Sequence, residues 1–209
     1  MIQLDNFFYF VGASSALFFL ILNHLNFDWN YLLIIFIGVF FSKILFVFLN
    51  PNESFTSLNG GFVFYGFVIP LLVSKFFFFK KEFFNINISK IVIAICFSHS
   101  IGRIGCYFSN CCFGHFFSIP VQLIEATYLC CLGFYLLQKF KKKSTDLCFI
   151  YFINYSVFRF FIEYFREDSA RGFYLNLSTS QWISVMIFIL IFVQKKFFEQ
   201  KFQERIALI

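Results

Sequence analysis

Long apolar runs alternate with short polar clusters along the whole chain. The runs fall at about Phe7–Leu25, Tyr31–Leu49, Gly61–Phe79, Phe83–Ile101, Pro120–Lys139, Leu147–Tyr164 and Gln181–Phe198. Each approaches the ~20 residues a helix needs to cross a hydrocarbon layer of ~30 Å. Inside that layer no water bonds the backbone, so helices, which satisfy their own amides, are the economical reading. The pattern predicts an all-α, polytopic membrane protein with about seven transmembrane helices. The fourth run is the least regular, because Asn85, Asn87, Ser89 and Lys90 dilute its first half. No internal repeat and no linker divides the chain, so residues 1–209 read as one transmembrane domain.

Composition sharpens this picture. The chain is 60% hydrophobic, 25% aromatic and 13% charged, with a mean hydropathy of +0.78, whereas soluble domains average about 45–50% apolar and about 25% charged. A soluble globular protein is excluded on these grounds. So is a nucleic-acid binder, because the net charge of +6 comes from 17 Lys and Arg scattered in short clusters. No Lys or Arg precedes Lys43, so the first run lacks the basic start of a cleaved leader and reads as a retained helix. Basic residues concentrate on the cytoplasmic side of membrane proteins. Lys75, Lys80, Lys81, Lys90, Lys139, Lys141, Lys142, Lys143, Lys195, Lys196, Lys201 and Arg205 fall on one side if the N-terminus lies outside and the C-terminus in the cytoplasm. Arg103, Arg166 and Arg171 fall on the opposite side, and Arg159 lies inside the sixth run.

Those arginines mark the candidate chemistry. A charge at a helix centre costs about 2.5–3.5 kcal/mol on insertion scales, so it is functional by default. Tyr155, Arg159, Glu163 and Arg166 are spaced four, four and three apart, which places them on one helical stripe. With Arg103 this makes three arginines against one carboxylate. A self-satisfied ion pair would tend to neutrality, whereas surplus guanidinium suits a phosphate. A second constellation runs from His99 to His115, with Gly102, Arg103, Gly105, Cys106, Cys111, Cys112 and Gly114. Its glycines permit close backbone approach, and the expectation is a loop that binds an anionic head group. The cysteine spacing fits no recognised zinc pattern, so no metal site is expected, although a Cys106–Cys111 or Cys106–Cys112 disulfide is sterically conceivable. Cys96, Cys130, Cys131 and Cys148 lie in apolar runs as packing residues. Gln122 and Glu125, just after Pro120, share one face of the fifth run, and Tyr65 follows Asn59-Gly60-Gly61 into the third.

From about Gly60 onwards the chain resembles the bacterial prolipoprotein diacylglyceryl transferases. Gly102-Arg103-Ile104-Gly105 leading to Gly114 is similar to the family's Gly-Arg-x-Gly signature. Pro120-Val121-Gln122-Leu123-Ile124-Glu125-Ala126 resembles its Pro-x-Gln-Leu-Tyr-Glu-Ala. Tyr155 to Arg166 resembles its Tyr-x-x-x-Arg-Phe-x-x-Glu-x-x-Arg, and Ser178-Thr179-Ser180-Gln181 the start of its last helix. Cys106 and Cys111 stand within the segment where the family usually has Asn-Phe-x-Asn-x-Glu, Tyr65-Gly66-Phe67 where it has His-Gly-Gly, and the larger insertion many members carry after the fourth helix is missing.

The resemblance implies transfer of the diacylglyceryl group of phosphatidylglycerol to the lipobox cysteine thiol of exported prolipoproteins. It implies a bacterial cytoplasmic (inner) membrane enzyme with its site towards the outer leaflet, needing no cofactor. Its partners would be the lipid, the prolipoprotein signal-peptide region and the membrane, with no nucleic acid. Arg159, Glu163, Tyr155 and Tyr65 become the expected catalytic residues. Arg103, Arg166, Gly102, Gly105, Gly114, Gln122 and Glu125 become the expected head-group site. Tyr65, Tyr155 and a guanidinium-activated thiolate all remain open as the means of removing the thiol proton. The rival readings are a sister transferase with another acceptor and a non-catalytic protein that binds anionic lipid. The charge pattern makes one direct prediction: reporters fused after Lys143 and after Arg205 score as cytoplasmic, and one at His115 scores on the opposite side.

Overall fold

The computed structural model describes residues 2–25, 32–49, 82–142, 147–167 and 173–206. The chain forms two compact units, Met1–His24 with Ile91–Ile209, and Leu25–Lys90. The described helices are α1 (Ile2–His24), α2 (Leu32–Leu49), α3 (Glu82–Phe108), α4 (Val121–Lys141), α5 (Leu147–Ile162) and α6 (Thr179–Ile206). They correspond to six of the seven predicted runs. The predicted helix over Gly61–Phe79, with Tyr65, lies outside the described residues. Among the described residues, three segments, Asn87–Phe108, Val121–Lys141 and Leu147–Phe165, are long and apolar enough to cross a membrane, and Val11–His24 and Thr179–Val193 are shorter apolar helices.

Side-chain exposure explains why this is a membrane protein. Phe188, Ile189, Leu190, Phe192 and Val193 on α6, Phe134 and Tyr135 on α4, and Val157 and Phe161 on α5 all face outward. In water so much exposed apolar surface would drive aggregation. In a bilayer it meets chains as apolar as itself.

Lipid supplies little hydrophobic drive between helices, so association rests on close packing and polar contacts. The larger unit shows both. Ile91, Val92, Ile93 and Ala94 of α3, Leu129 and Leu136 of α4, Tyr151 and Phe152 of α5, and Ile187 and Ile191 of α6 are buried. Between α3 and α4, the Ser100 hydroxyl donates to the Ala126 carbonyl at 2.7 Å and the Cys96 thiol donates to the Leu129 carbonyl at 3.1 Å. Between α4 and α5, Tyr128 stacks on Phe158 with centroids 3.8 Å apart, and its hydroxyl donates to the Asn154 carbonyl at 3.0 Å. Among the described helices the most extensive contact is α5 on α6.

Two short antiparallel hairpins complete the unit. β1 (His115–Phe116) pairs with β2 (Ile119–Pro120), and β3 (Phe173–Tyr174) pairs with β4 (Leu177–Ser178). Their tight turns need left-handed residues, supplied by Phe117 (φ 49°) in the first and by Leu175 (φ 49°) and Asn176 (φ 61°) in the second. Each hairpin runs straight into a helix: β2 into α4, and β4 into α6.

Two predicted details are corrected. The fourth run does not end at Ile101; α3 continues through Phe108, so Gly102, Arg103 and Gly105 are helical rather than part of a loop. A helical Gly costs only about 0.5–1 kcal/mol relative to Ala, too little to stop a packed helix. The Tyr155–Arg166 stripe is not one α-helix either. α5 ends at Ile162, Glu163–Phe165 form a 3-10 turn, and Arg166 is extended (φ −88°, ψ 138°).

The helix packing makes a paired prediction. A Cβ at Gly133 would meet the Phe97 ring at 3.0 Å, whereas Gly12 has nothing within 4 Å. Gly133→Leu is expected to lower thermal stability in detergent by about 1–3 kcal/mol, the usual range for overpacking. Gly12→Leu should fall within about 0.5 kcal/mol of the parent, as surface changes do.

Candidate active site

Two carboxylates and three guanidiniums meet among α3, α4, α5 and the turn that follows α5. Arg159, from the last turn of α5, is clamped on both sides. Its Nη1 donates to Glu125 Oε1 at 2.8 Å and its Nη2 lies 2.7 Å from Glu163 Oε2. Glu125 is shared: its Oε2 lies 3.2 Å from Arg103 Nε, reached from one turn before the end of α3. Glu163 is shared too, with Arg166 Nη1 at 3.4 Å from the same Oε2. Both carboxylate side chains are only 1% exposed and that of Arg159 only 3%. At such burial each charge needs a partner, because an isolated ion in low dielectric is far costlier than a paired one.

The start of α6 closes the array. Ser178 and Gln181 form a reciprocal cap: the Ser178 amide donates to Gln181 Oε1 at 2.9 Å and the Gln181 amide donates to Ser178 Oγ at 3.2 Å. This is the Ser-x-x-Gln box that satisfies orphan amides at a helix start. The Ser178 hydroxyl has a second task, donating to Glu163 Oε1 at 3.0 Å. Arg159 Nη2 also reaches Ser180 Oγ at 3.4 Å. Gln181 Nε2 donates back to the Phe160 carbonyl at 3.3 Å, tying α6 to α5.

The expected site residues therefore divide. Arg103, Arg159, Glu163 and Arg166 come together, and Tyr155 joins them through His99, whose ring meets it edge-on at 5.3 Å. Glu125, expected against the head group, instead has both oxygens on guanidiniums; a carboxylate so placed holds arginines and would repel a phosphate. Gln122, expected beside it, is buried and donates to the Cys111 carbonyl at 3.0 Å, so it braces the loop. With Glu125 counted, the balance is three arginines against two carboxylates, not against one. One positive charge remains in surplus. Gly102 has open space at its Cβ position. Gly114 is required, since a Cβ there would collide with the Phe165 carbonyl and come within 2.6 Å of the Arg166 Cα. The cause is a bridge pairing Gly114 with Arg166.

Ser178, Ser180, Gln181 and His99 were not expected as site residues. The Ser-x-x-Gln spacing announces a helix start, but nothing in it announces the bond to Glu163.

The last turn of α3 and the loop after it bring three thiols together. The Sγ atoms of Cys106, Cys111 and Cys112 all lie within 4.8 Å of one another, and none of the seven cysteines is in a disulfide. Hydrogen bonds from Cys106 and Cys111, aided by the Arg103 and Arg166 guanidiniums, hold the Cys112 thiol well below the usual thiol range. Hydrogen bonding to Cys106 and Cys112, with burial, pushes Cys111 well above it.

Apolar helices around a buried array of arginines and carboxylates define a membrane-embedded protein. Comparison with known proteins agrees. The chain belongs to the prolipoprotein diacylglyceryl transferase family, whose model matches residues 13–194. It is 29% identical over 183 residues to the phosphatidylglycerol–prolipoprotein diacylglyceryl transferase of Clostridium tetani, covering 73% of each chain. It is 29% identical to transferase 2 of that name from Clostridium perfringens, over 73% of this chain and 71% of the relative. With the Campylobacter curvus transferase it shares 30% over 179 residues, 73% of this chain and 66% of the relative.

The shared hydroxyl gives a test of the site's construction. Ser178→Ala removes a helix cap, worth about 0.5–2 kcal/mol, and a hydrogen bond to a buried charge, worth about 1.5–3 kcal/mol. It is expected to lower stability by roughly 2 kcal/mol or more in a detergent melt. Ser180→Ala, which loses only a long contact, should lower it by well under half as much.

Proposed function

We propose that this protein is an enzyme of lipoprotein biosynthesis that transfers the diacylglyceryl group of phosphatidylglycerol to a cysteine thiol of exported prolipoproteins. The observation that carries the reading is the surplus guanidinium of a pre-aligned array buried among membrane helices. A phosphodiester head group supplies the one negative charge that this surplus leaves unmatched. An apolar groove of about 220 Å³, lined by Val157, Phe160, Phe161 and Phe188 among others, adjoins Arg159 along the chain and offers room for part of an acyl chain.

In the reaction so read, the acceptor sulfur attacks the glyceryl carbon that bears the phosphate ester. A carbon–sulfur bond forms, the carbon–oxygen bond breaks, and glycerol phosphate departs with the electron pair. Charge grows on the departing phosphate, and fixed donors aimed at growing charge are usually the largest catalytic term. Arg103 and Arg166, each on the flank of one carboxylate, are the arginines that contact the phosphate. Arg159, between both carboxylates, is a positioning residue that holds Glu125 and Glu163 in place. Tyr155, beside His99, is one candidate for taking the thiol proton, and Tyr65 remains another. The orientation that matches this reading has the N-terminus outside, the C-terminus in the cytoplasm and the site towards the outer leaflet of a bacterial inner membrane, with residues 1–209 as one transferase domain.

The test uses a cell depleted of its own transferase and follows the mobility of a model prolipoprotein together with consumption of phosphatidylglycerol. Arg103→Ala leaves Glu125 paired with Arg159, so the variant is expected to accumulate normally and to lose transfer by at least about 100-fold, the scale on which one lost transition-state donor acts. Arg159→Ala removes the guanidinium that Glu125 and Glu163 share, leaving each on its longer contact with Arg103 or Arg166, and should reduce abundance, since breaking a buried pair costs about 3–5 kcal/mol. Normal transfer by both Arg103→Ala and Arg166→Ala would refute the phosphate assignment. Lipid consumed without change in the prolipoprotein would indicate a different acceptor.

A further inference from the structure

The three thiols at the end of α3 and in the loop after it have no part in the transfer chemistry above, yet the fold goes to some length to gather them. Cys106 lies in the last turn of α3, and Cys111 and Cys112 follow five and six residues after it in sequence. The chain doubles back because Asn110 (φ 50°) and Cys112 (φ 57°) are both left-handed, a conformation that side chains other than Gly adopt at some cost. The Cys111 amide then donates to the Cys106 carbonyl at 3.1 Å.

Three further bonds lock the loop from neighbouring elements. Gln122 donates to the Cys111 carbonyl at 3.0 Å. The Val121 amide donates to the Gly114 carbonyl at 2.9 Å, and the Glu167 amide to the Phe113 carbonyl at 3.0 Å. A metal site needs such support, because ligands left to wander bind weakly. Independent of the sulfurs, Gln122 Oε1 is buried with no hydrogen-bond partner, although its own Nε2 holds the thiol loop. An orphaned acceptor there fits a donor that arrives with a ligand, such as metal-bound water. Arg103 and Arg166 lie close enough to bear on Cys112, which offsets the charge that three thiolates would concentrate.

We propose that Cys106, Cys111 and Cys112 form a three-thiolate site for a thiophilic d10 cation, Zn(II) or Cu(I). Soft thiolate ligands select such ions. Zinc–sulfur bonds of about 2.3 Å set sulfurs a little under 4 Å apart, so closing the site from the present separations takes side-chain movements of about 1 Å or less. Each ligating thiol releases its proton to solvent as it binds. The site adjoins the arginine array but does not depend on the transferase reading, and its test does not read transfer.

The full chain, reduced and purified in detergent without added metal, is titrated with Zn(II) alone and with Cu(I) alone against a competing chelator of known affinity. One ion per chain is expected, with a thiolate-to-metal absorption band and proton release. Cys106→Ser, Cys111→Ser and Cys112→Ser should each weaken binding by more than the roughly 10- to 100-fold that loss of an outer-sphere residue costs. Cys130→Ser, Cys131→Ser and Cys148→Ser should leave it unchanged. Metal-free melts identify any serine variant that has lost its fold, and for such a variant the band intensity per ion in the parent, three thiolates against fewer, decides instead. Absence of a bound ion from the reduced parent overturns the proposal, as does binding that survives all three loop substitutions together. Thiol counting on protein taken directly from membranes is the remaining arm: two loop cysteines already joined as a disulfide would also overturn it.

Discussion

Everything at the buried end of this bundle depends on Arg159 having two carboxylates instead of one. A lone guanidinium on α5 would be a liability among apolar helices. Glu163, four residues on, could satisfy it locally, and the chain would then own a self-contained pair with no tie to its neighbours. Glu125 changes the topology of the interaction. It comes from α4, meets Arg159 on one oxygen and Arg103 of α3 on the other, and so fastens three helices through one side chain. Where lipid offers no hydrophobic drive for helix association, such a charged knot sets which faces meet and in what register.

The knot also explains how an arginine-rich site is tolerated. Three guanidiniums repel one another, and in low dielectric that repulsion is severe. Interleaving two carboxylates converts the array into alternating charge with one positive unit over. The phosphate proposed to visit it is the last member of the alternation rather than a guest in an unrelated pocket. On this view the array balances fully only with substrate bound, which suits differential stabilisation of charge that appears during reaction.

How much of this was legible in the chain depends on the range over which each interaction acts. The six described helices were, because bilayer thickness imposes a length and lipid imposes apolarity, and both are local properties. The Arg159–Glu163 pair was legible for the same reason, being one turn apart. The partnership of Arg159 with Glu125 spans 34 residues, and nothing in the Pro120–Ala126 stretch says that its carboxylate turns towards α5. The end of α3 lies beyond the predicted one because Gly102 and Gly105 look like breakers when taken singly, although the helix runs past them and is tied there to α4 by the Arg103–Glu125 pair. The spacing of Cys106, Cys111 and Cys112 allows a disulfide but does not announce three gathered thiols, because Cys-x-x-x-x-Cys-Cys brings all three sulfurs together only when Asn110 and Cys112 turn left-handed, a choice made by the surroundings. Tyr65, the residue standing in for the family's histidine, lies outside the described residues.

Ser178 carries a consequence for how the protein is made. Its hydroxyl serves at once as the cap of α6 and as a ligand of Glu163, and it comes from a later part of the chain than any charged member of the array. A growing chain delivers Arg103 first, then Glu125, then Arg159, Glu163 and Arg166, and only afterwards the hairpin that presents Ser178. Until that hairpin emerges, one oxygen of Glu163 lacks this donor and the first turn of α6 lacks its cap. The two deficits are cancelled by a single hydroxyl at a single moment. Winding of the final helix and completion of the buried charge network are therefore one event, so that a half-synthesised bundle cannot hold a finished site.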